Sequence, residues 1–310
     1  MPDSTYPPPV AALLAFGNPH ELLPDPPPMT DEEIAAVEEL LRTDTLKKHD
    51  PYPLQSLSWP DYRAGGIGPE HIPDLLRMVS DEDLWENDNE DDPAGFAPIH
   101  AWRALGQLRA EEAIRPLIAL LGPYDDWDWF KEELPEVLAL IGPTAIAPLA
   151  AILANPMRPV GIRTTVGTAL GKIGRMHPDA RAAAVAPITD AIAASLTSDA
   201  PLDDLCELNG FLISELIDLE ETDALPLIAR VFAADRVDES IPGDLEDVEI
   251  AFGVREQRDT PRPRYNIFSR LPVRDPIPPG SGVVKPVGAK KDKRKRQIAK
   301  QSRRVNRKKK

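Results

Sequence analysis

The sequence predicts an all-α fold: an α-solenoid of about five stacked helix pairs, ending in a basic tail expected to stay disordered. The first observation is a proline that recurs five times inside one small apolar frame. The copies are Ile72-Pro73-Asp74-Leu75-Leu76, Ile114-Arg115-Pro116-Leu117-Ile118, Ile146-Ala147-Pro148-Leu149-Ala150, Val185-Ala186-Pro187-Ile188-Thr189 and Leu225-Pro226-Leu227-Ile228. Their intervals of 43, 32, 39 and 39 residues match the period of stacked helix pairs. The second is a shared ending on the helices between them: Ala104-Leu105-Gly106, Ala139-Leu140-Ile141-Gly142 and Ala169-Leu170-Gly171. The third is composition, since aliphatic residues are plentiful and aromatics make up only 5%, which suits helix-on-helix packing.

Each proline is expected within about one turn of a helix start. There the missing amide hydrogen matters little, because first-turn amides have no intrahelical partner. Pro143-Thr144, Thr222-Asp223 and Ala110-Glu111-Glu112 stand where such starts belong.

Residues 1–45 read as a proline-rich arm and a capping helix. Pro7-Pro8-Pro9 and Pro26-Pro27-Pro28 mark an irregular arm over the first helices, and Thr30 and Glu33 have capping-box spacing that opens a helix to about Leu41. Residues 46–255 form the repeat body. A turn-rich stretch with Gly65-Gly66 precedes the first marked helix, His71 to Val79. Upstream partners of the later marks fall at 98–109, 128–141, 160–173 and 202–219. In the first of these Ile99, Trp102, Leu105 and Leu108 share a face. Eight acids between Val79 and Pro93 predict an exposed loop rather than a helix. Glycine at the shared endings implies a left-handed cap or close approach of a neighbour. Asn209-Gly210-Phe211 interrupts an apolar helix and implies close packing or a partner's approach. Acids from Asp238 to Glu249 read as a polar cap over the stack. Residues 256–284 form a proline-rich linker and 285–310 a polybasic tail.

Charge divides sharply along the chain. From Lys285 to Lys310 nine Lys and five Arg face only Asp292, a net +13, so within an overall −15 the preceding residues carry −28. The tail cannot bury a core. Its basic residues Lys290, Lys291, Lys293, Arg294, Lys295, Arg296, Arg303, Arg304, Arg307, Lys308, Lys309 and Lys310 are candidates for salt-sensitive phosphate contact with RNA or DNA. It holds no aromatic residue for base stacking. Folding back onto the acidic body is the competing role.

The single cysteine, Cys206, excludes an internal disulfide and a cysteine-built zinc site; its neighbours Leu205 and Leu208 make it a buried small hydrophobe. No run approaches the roughly 18 apolar residues that span a bilayer, and the acidic start Met1-Pro2-Asp3-Ser4 is unlike a signal peptide. A cytoplasmic protein without membrane contact is expected. No phosphate-cradling glycine loop, nucleophile elbow or histidine pair at ligand spacing is present. His71 and His100 read as surface or capping groups. No catalytic residue, metal ligand or cofactor is expected, and enzymatic activity is disfavoured.

The best candidate site is Tyr124-Asp125-Asp126-Trp127-Asp128-Trp129-Phe130, followed by Glu132, Glu133 and Glu136 and grouped with Trp102. Aromatic anchors rimmed by charge typify recognition surfaces, and the carboxylates suit a basic protein partner. Alternatively Trp127 and Phe130 pack inward while the acids favour the helix start; both can hold on alternate faces. A hydrolase using Asp125, Asp126 and Asp128 is a weaker third reading.

The proline and Ala-Leu-Gly frames over residues 70–235 resemble HEAT-like repeats, particularly the short class named after phycobilisome lyases. That resemblance implies a scaffold or adaptor that binds a protein partner. The alternative it implies is a bilin-lyase-like or chaperone-like subunit for chromophore attachment. Pro276-Ile277-Pro278-Pro279-Gly280-Ser281-Gly282 is similar to the opening of the SEC-C metal-binding motif, with Ile277 and Pro279 in the cysteine places. Lacking thiolate or imidazole ligands, it is expected to hold no zinc.

Overall fold

The computed structural model describes residues 6–19, 55–87, 92–122, 128–261 and 263, and among these it contains no β-strand. The chain is all-α. The capping helix near Thr30, the linker beyond residue 263 with its SEC-C-like stretch, and the polybasic tail lie outside the described residues.

The helices are α1 (Pro8–Ala11), α2 (Ile72–Val79), α3 (Glu82–Trp85), α4 (Ala97–Gln107), α5 (Ile114–Leu120), α6 (Asp128–Ile141), α7 (Ile146–Leu153), α8 (Val160–Met176), α9 (Arg181–Ser195), α10 (Leu202–Asp218), α11 (Leu225–Ala233) and α12 (Leu245–Ala251). The five proline frames fall on α2, α5, α7, α9 and α11. Each of these is entered through a three-residue 3₁₀ turn: Pro69–His71, Glu111–Ala113, Pro143–Ala145, Pro178–Ala180 and Thr222–Ala224. The tight turn sets the direction of entry, and proline fits the first helical turn because its missing donor is not needed there.

Four of the five prolines obey that rule. The exception is Pro187, which lies inside α9. The alanines that follow Arg181, strong helix formers, extend α9 a full turn upstream of the frame, so Pro187 removes a hydrogen bond that the other frames never needed. Pro135 lies inside α6 in the same way.

The upstream helices α4, α6, α8 and α10 pack against one another in chain order, as do α7, α9 and α11, while α8 also contacts α7 and α9. One continuous apolar cluster runs through them from Val10 to Phe252. Gly106 on α4 explains one shared ending, since a β-carbon there would lie 3.4 Å from the backbone of Val137 on α6. Gly142 explains another, because its φ of 115° is open to glycine alone.

Two ends are better built than the sequence implies. The arm is not irregular where described: α1 and the 3₁₀ turn Ala12–Ala15 bury Val10 and Leu13 completely against the first helices. The acidic stretch after Val79 is not wholly loop. Asp81 accepts hydrogen bonds from the amides of Asp83 and Leu84, capping α3, whose Trp85 is buried with its indole N–H on Val79 O at 2.7 Å. An acid at an N-cap is stabilising because it answers the unpaired amides and the positive helix end.

Candidate functional site

The predicted recognition patch is split by the structure. Tyr124, Asp125, Asp126 and Trp127 lie outside the described residues. Asp128 and Trp129 open α6, and Glu132 is exposed on its outer face. Trp102 and Glu133, expected on the same surface, are core residues instead, 0% and 1% exposed. Phe130 packs inward, completing an aromatic group: it meets Trp102 at 4.9 Å and Trp85 at 5.2 Å between ring centroids.

The reason is helical spacing. Phe130, Glu133, Leu134, Val137 and Leu138 share the inward stripe of α6, so Glu133 must find its partner inside. Its Oε2 accepts from Arg103 Nε at 2.8 Å and from Trp102 Nε1 at 3.1 Å, while Oε1 accepts from Arg103 Nη2. Burial alone would lower the Arg103 guanidinium, but the Glu133 carboxylate outweighs it and holds it above its ordinary value. Trp59 covers the guanidinium at 4.8 Å.

His100 is likewise core, not surface. Its Nε2 stands 2.9 Å from Gly17 O and its Nδ1 2.7 Å from the Tyr62 hydroxyl. A carbonyl only accepts, so Nε2 carries the proton and Nδ1 accepts from Tyr62. Burial pushes His100 down to about 4, and this neutral ring fastens the N-terminal arm to α4. His71 does act as a cap, accepting from the Gly68 amide at 3.0 Å. Cys206 is buried, as its apolar neighbours imply.

These contacts belong to a larger pattern. Glu136, one turn beyond Glu133, is fully buried, accepts from the Ser56 amide at 2.5 Å and pairs with Lys172 of α8 at 3.3 Å. Arg175, three residues after Lys172, reaches Asp218 of α10 at 3.9 Å. Successive helices thus present base, acid, base and acid across their seams: Arg103 on α4, Glu133 and Glu136 on α6, Lys172 and Arg175 on α8, Glu215 and Asp218 on α10. The pairs at 133/136, 172/175 and 215/218 use the three-residue spacing that keeps both groups on one face.

Four of the acids after the last frame, Asp244, Glu246, Asp247 and Glu249, pair with two arginines. Asp244 caps α12, and Arg258 bridges Asp244 and Asp247 at 2.5 Å each. Arg255 pairs with Glu249 at 2.6 Å. At Gly210 an added β-carbon would fall 2.9 Å from Ile241 and 3.2 Å from Asp238 O, so this glycine serves close packing. Asn209 beside it donates to Ser195 Oγ and Arg236 O at 2.9 and 2.8 Å.

A cavity of about 260 Å³ opens beside Arg63, Ile67, Gly68, Gln107 and Arg109. Its neutral polar groups are already engaged: the Gln107 amide bridges Tyr62 N and Pro60 O, and Gly68 N donates to His71. Among the described residues no group of three His, Cys, Asp or Glu is placed to hold a metal ion. Nor is any single helix there long and apolar enough to cross a membrane.

Comparison with family models, with curated proteins and with solved structures finds no match to this chain.

Proposed function

We propose that this chain is a non-enzymatic scaffold or adaptor built as a HEAT-like α-solenoid, binding a basic protein partner on its acidic surface. A disordered polybasic tail adds RNA, DNA or ribosome contact, or shields the acidic surface while no partner is bound. The observation that carries the reading is the division of charge, −28 before Lys285 and +13 after it. Charge separated this far along one chain is suited to electrostatic association rather than to folding.

The order of helix contacts supports the solenoid part. Upstream helices stack on upstream helices, and α7, α9 and α11 on one another, while α2 packs on α4 and α5 on α6; packing of each unit on its neighbour is what a repeat array requires. The burial of Glu133, Glu136 and Arg103 supports a division of labour. Inward charges fix how neighbouring helices register, while acids such as Asp203 and Asp204 are exposed on the outer surface, where a basic partner would meet them. The action is cytoplasmic in this reading.

Deleting residues 285–310 and measuring RNA binding across a salt series tests the tail. The full chain binds with affinity that falls steeply as salt rises, and the truncated chain loses that binding. Unchanged affinity removes the tail from the scheme. Affinity purification of tagged full-length and tail-less chains then tests the body. A basic partner retained by both forms, and released by charge reversal at Asp203 and Asp204, is the expected outcome; retention after charge reversal rejects the acidic surface.

A further inference from the structure

The seam between α8 and α10 is made of glycine on one side. Gly167, Gly171 and Gly174 lie on one face of α8, and opposite them α10 and its C-cap present Leu212, Glu215 and Leu219. β-carbons added at the three glycines would fall 2.4 Å from Leu212 Cδ2, 2.1 Å from Glu215 Oε2 and 3.0 Å from Leu219 Cδ2. Two apolar knobs therefore sit in glycine hollows, and the middle hollow holds a carboxyl group. A glycine in a helix interior is destabilising by about 1 kcal/mol against alanine, so three on one face of α8 imply that this close approach matters to the fold.

We propose that Glu215 is a proton-operated latch of this seam: protonated, its carboxyl lies on Gly171 and closes α10 onto α8, and ionised, it turns out toward Lys172 and loosens the contact. The surroundings are named by the charges that face it. From α8 come Lys172 and Arg175; Lys172 is already held by Glu136 of α6 at 3.3 Å, and Arg175 faces Asp218 at 3.9 Å. Asp218 on the same helix repels a second negative charge. α9, which also packs on α10, carries Arg181, paired with Glu221 at 3.7 Å, and the exposed Asp190. Neither base is thus free to neutralise Glu215 fully. Burial pushes Glu215 up to about 7, against the opposing pull of Thr168, Lys172 and Arg175. The latch therefore operates near neutral pH and sets how firmly α10, α11 and α12 are held to the preceding helices.

The test is hydrogen exchange of the full chain at pH 6 and pH 8, corrected for the intrinsic pH dependence of amide exchange, with carboxyl-carbon NMR of Glu215. Protection in 160–176 and 202–218 is expected to fall about tenfold between the two pH values, the factor set by a midpoint near 7. E215Q is expected to keep the closed level at both. G171A, which expels the side chain from its hollow, is expected to show the open level at both. Equal protection of the native chain at pH 6 and 8, a fall that persists in E215Q, or a Glu215 midpoint below 5.5 would each overturn the latch. The NMR midpoint stands even where a variant folds poorly.

Discussion

Arg103 and Glu133 lie 30 residues apart in sequence and join guanidinium to carboxylate through two hydrogen bonds, with side chains 2% and 1% exposed. Removing one partner strands the other charge in the core. E133A is therefore expected to destabilise the protein by about 3–5 kcal/mol, whereas R103M/E133L, which removes both charges, recovers most of the loss. Urea denaturation of the two variants checks it; equal losses would mean that the pair's net attraction, and not the stranded charge, sets the cost.

The buried His100 and the half-buried Glu215 shift in opposite senses, and the folded protein's response to pH follows from both. His100 is depressed from 6.5 to about 4, so between those values the unfolded chain binds the extra proton and stability rises with pH. Glu215 is raised from 4.5 to about 7, so between those values the folded chain binds the extra proton and stability falls as pH rises. The two slopes oppose each other from about pH 4.5 to 6.5. E215Q is expected to expose the His100 slope, with stability climbing by about 3 kcal/mol from pH 4 to 6.5. H100Q is expected to expose the Glu215 slope, with stability falling from pH 4.5 to 7. Melting temperatures of the native chain and both variants across that range decide it; parallel curves would refute the assignment.

Glycines on α8 separate by what faces them. At Gly167 an added β-carbon meets Leu212 at 2.4 Å, while at Gly161 it meets nothing within 4 Å. G167A forces α8 and α10 apart and is expected to destabilise by about 1–3 kcal/mol. G161A loses no contact and restricts the unfolded chain, and is expected to stabilise by about 0.5–1 kcal/mol. The opposite signs, read from the same denaturation series, make the comparison internal to one helix.

How far the sequence reveals this structure depends on the range of each interaction. Helix α6 is legible residue for residue because the apolar spacing from Phe130 to Ile141 is local, and α4, α8 and α10 follow to within three residues for the same reason. The inward turn of Glu133 was less accessible, since an acid is by default a surface residue, whereas Trp102 already lies on the apolar face it shares with Ile99 and Leu105. A signal was present, however: Glu133 stands three residues after Phe130 and four before Val137, on the apolar stripe itself. Lys172 and Glu136, or His100 and Gly17, leave no such trace, because each needs a partner fixed only by how distant helices stack. Pro187 shows the converse limit. Its frame repeats faithfully, but the alanines upstream move the helix start, so a matching motif does not guarantee a matching setting.

Two arginines, Arg255 and Arg258, pair with the acids around the last helix. Arg258 bridges Asp244 and Asp247, and those carboxylates hold its guanidinium well above the ordinary value. Asp244 also accepts from the Asp247 amide at 3.0 Å, so the same carboxylate starts α12 and anchors the segment beyond it. Because the pair is near solvent, its strength is modest and screened by salt. R258A is expected to lower stability by about 1 kcal/mol in dilute buffer and by less in 1 M salt, with the loss of exchange protection confined to 245–251 and the residues after it. A loss that spread into α8 and α10 would show instead that this cap clamps the whole C-terminal half, and the separate role given to the glycine seam would fail with it.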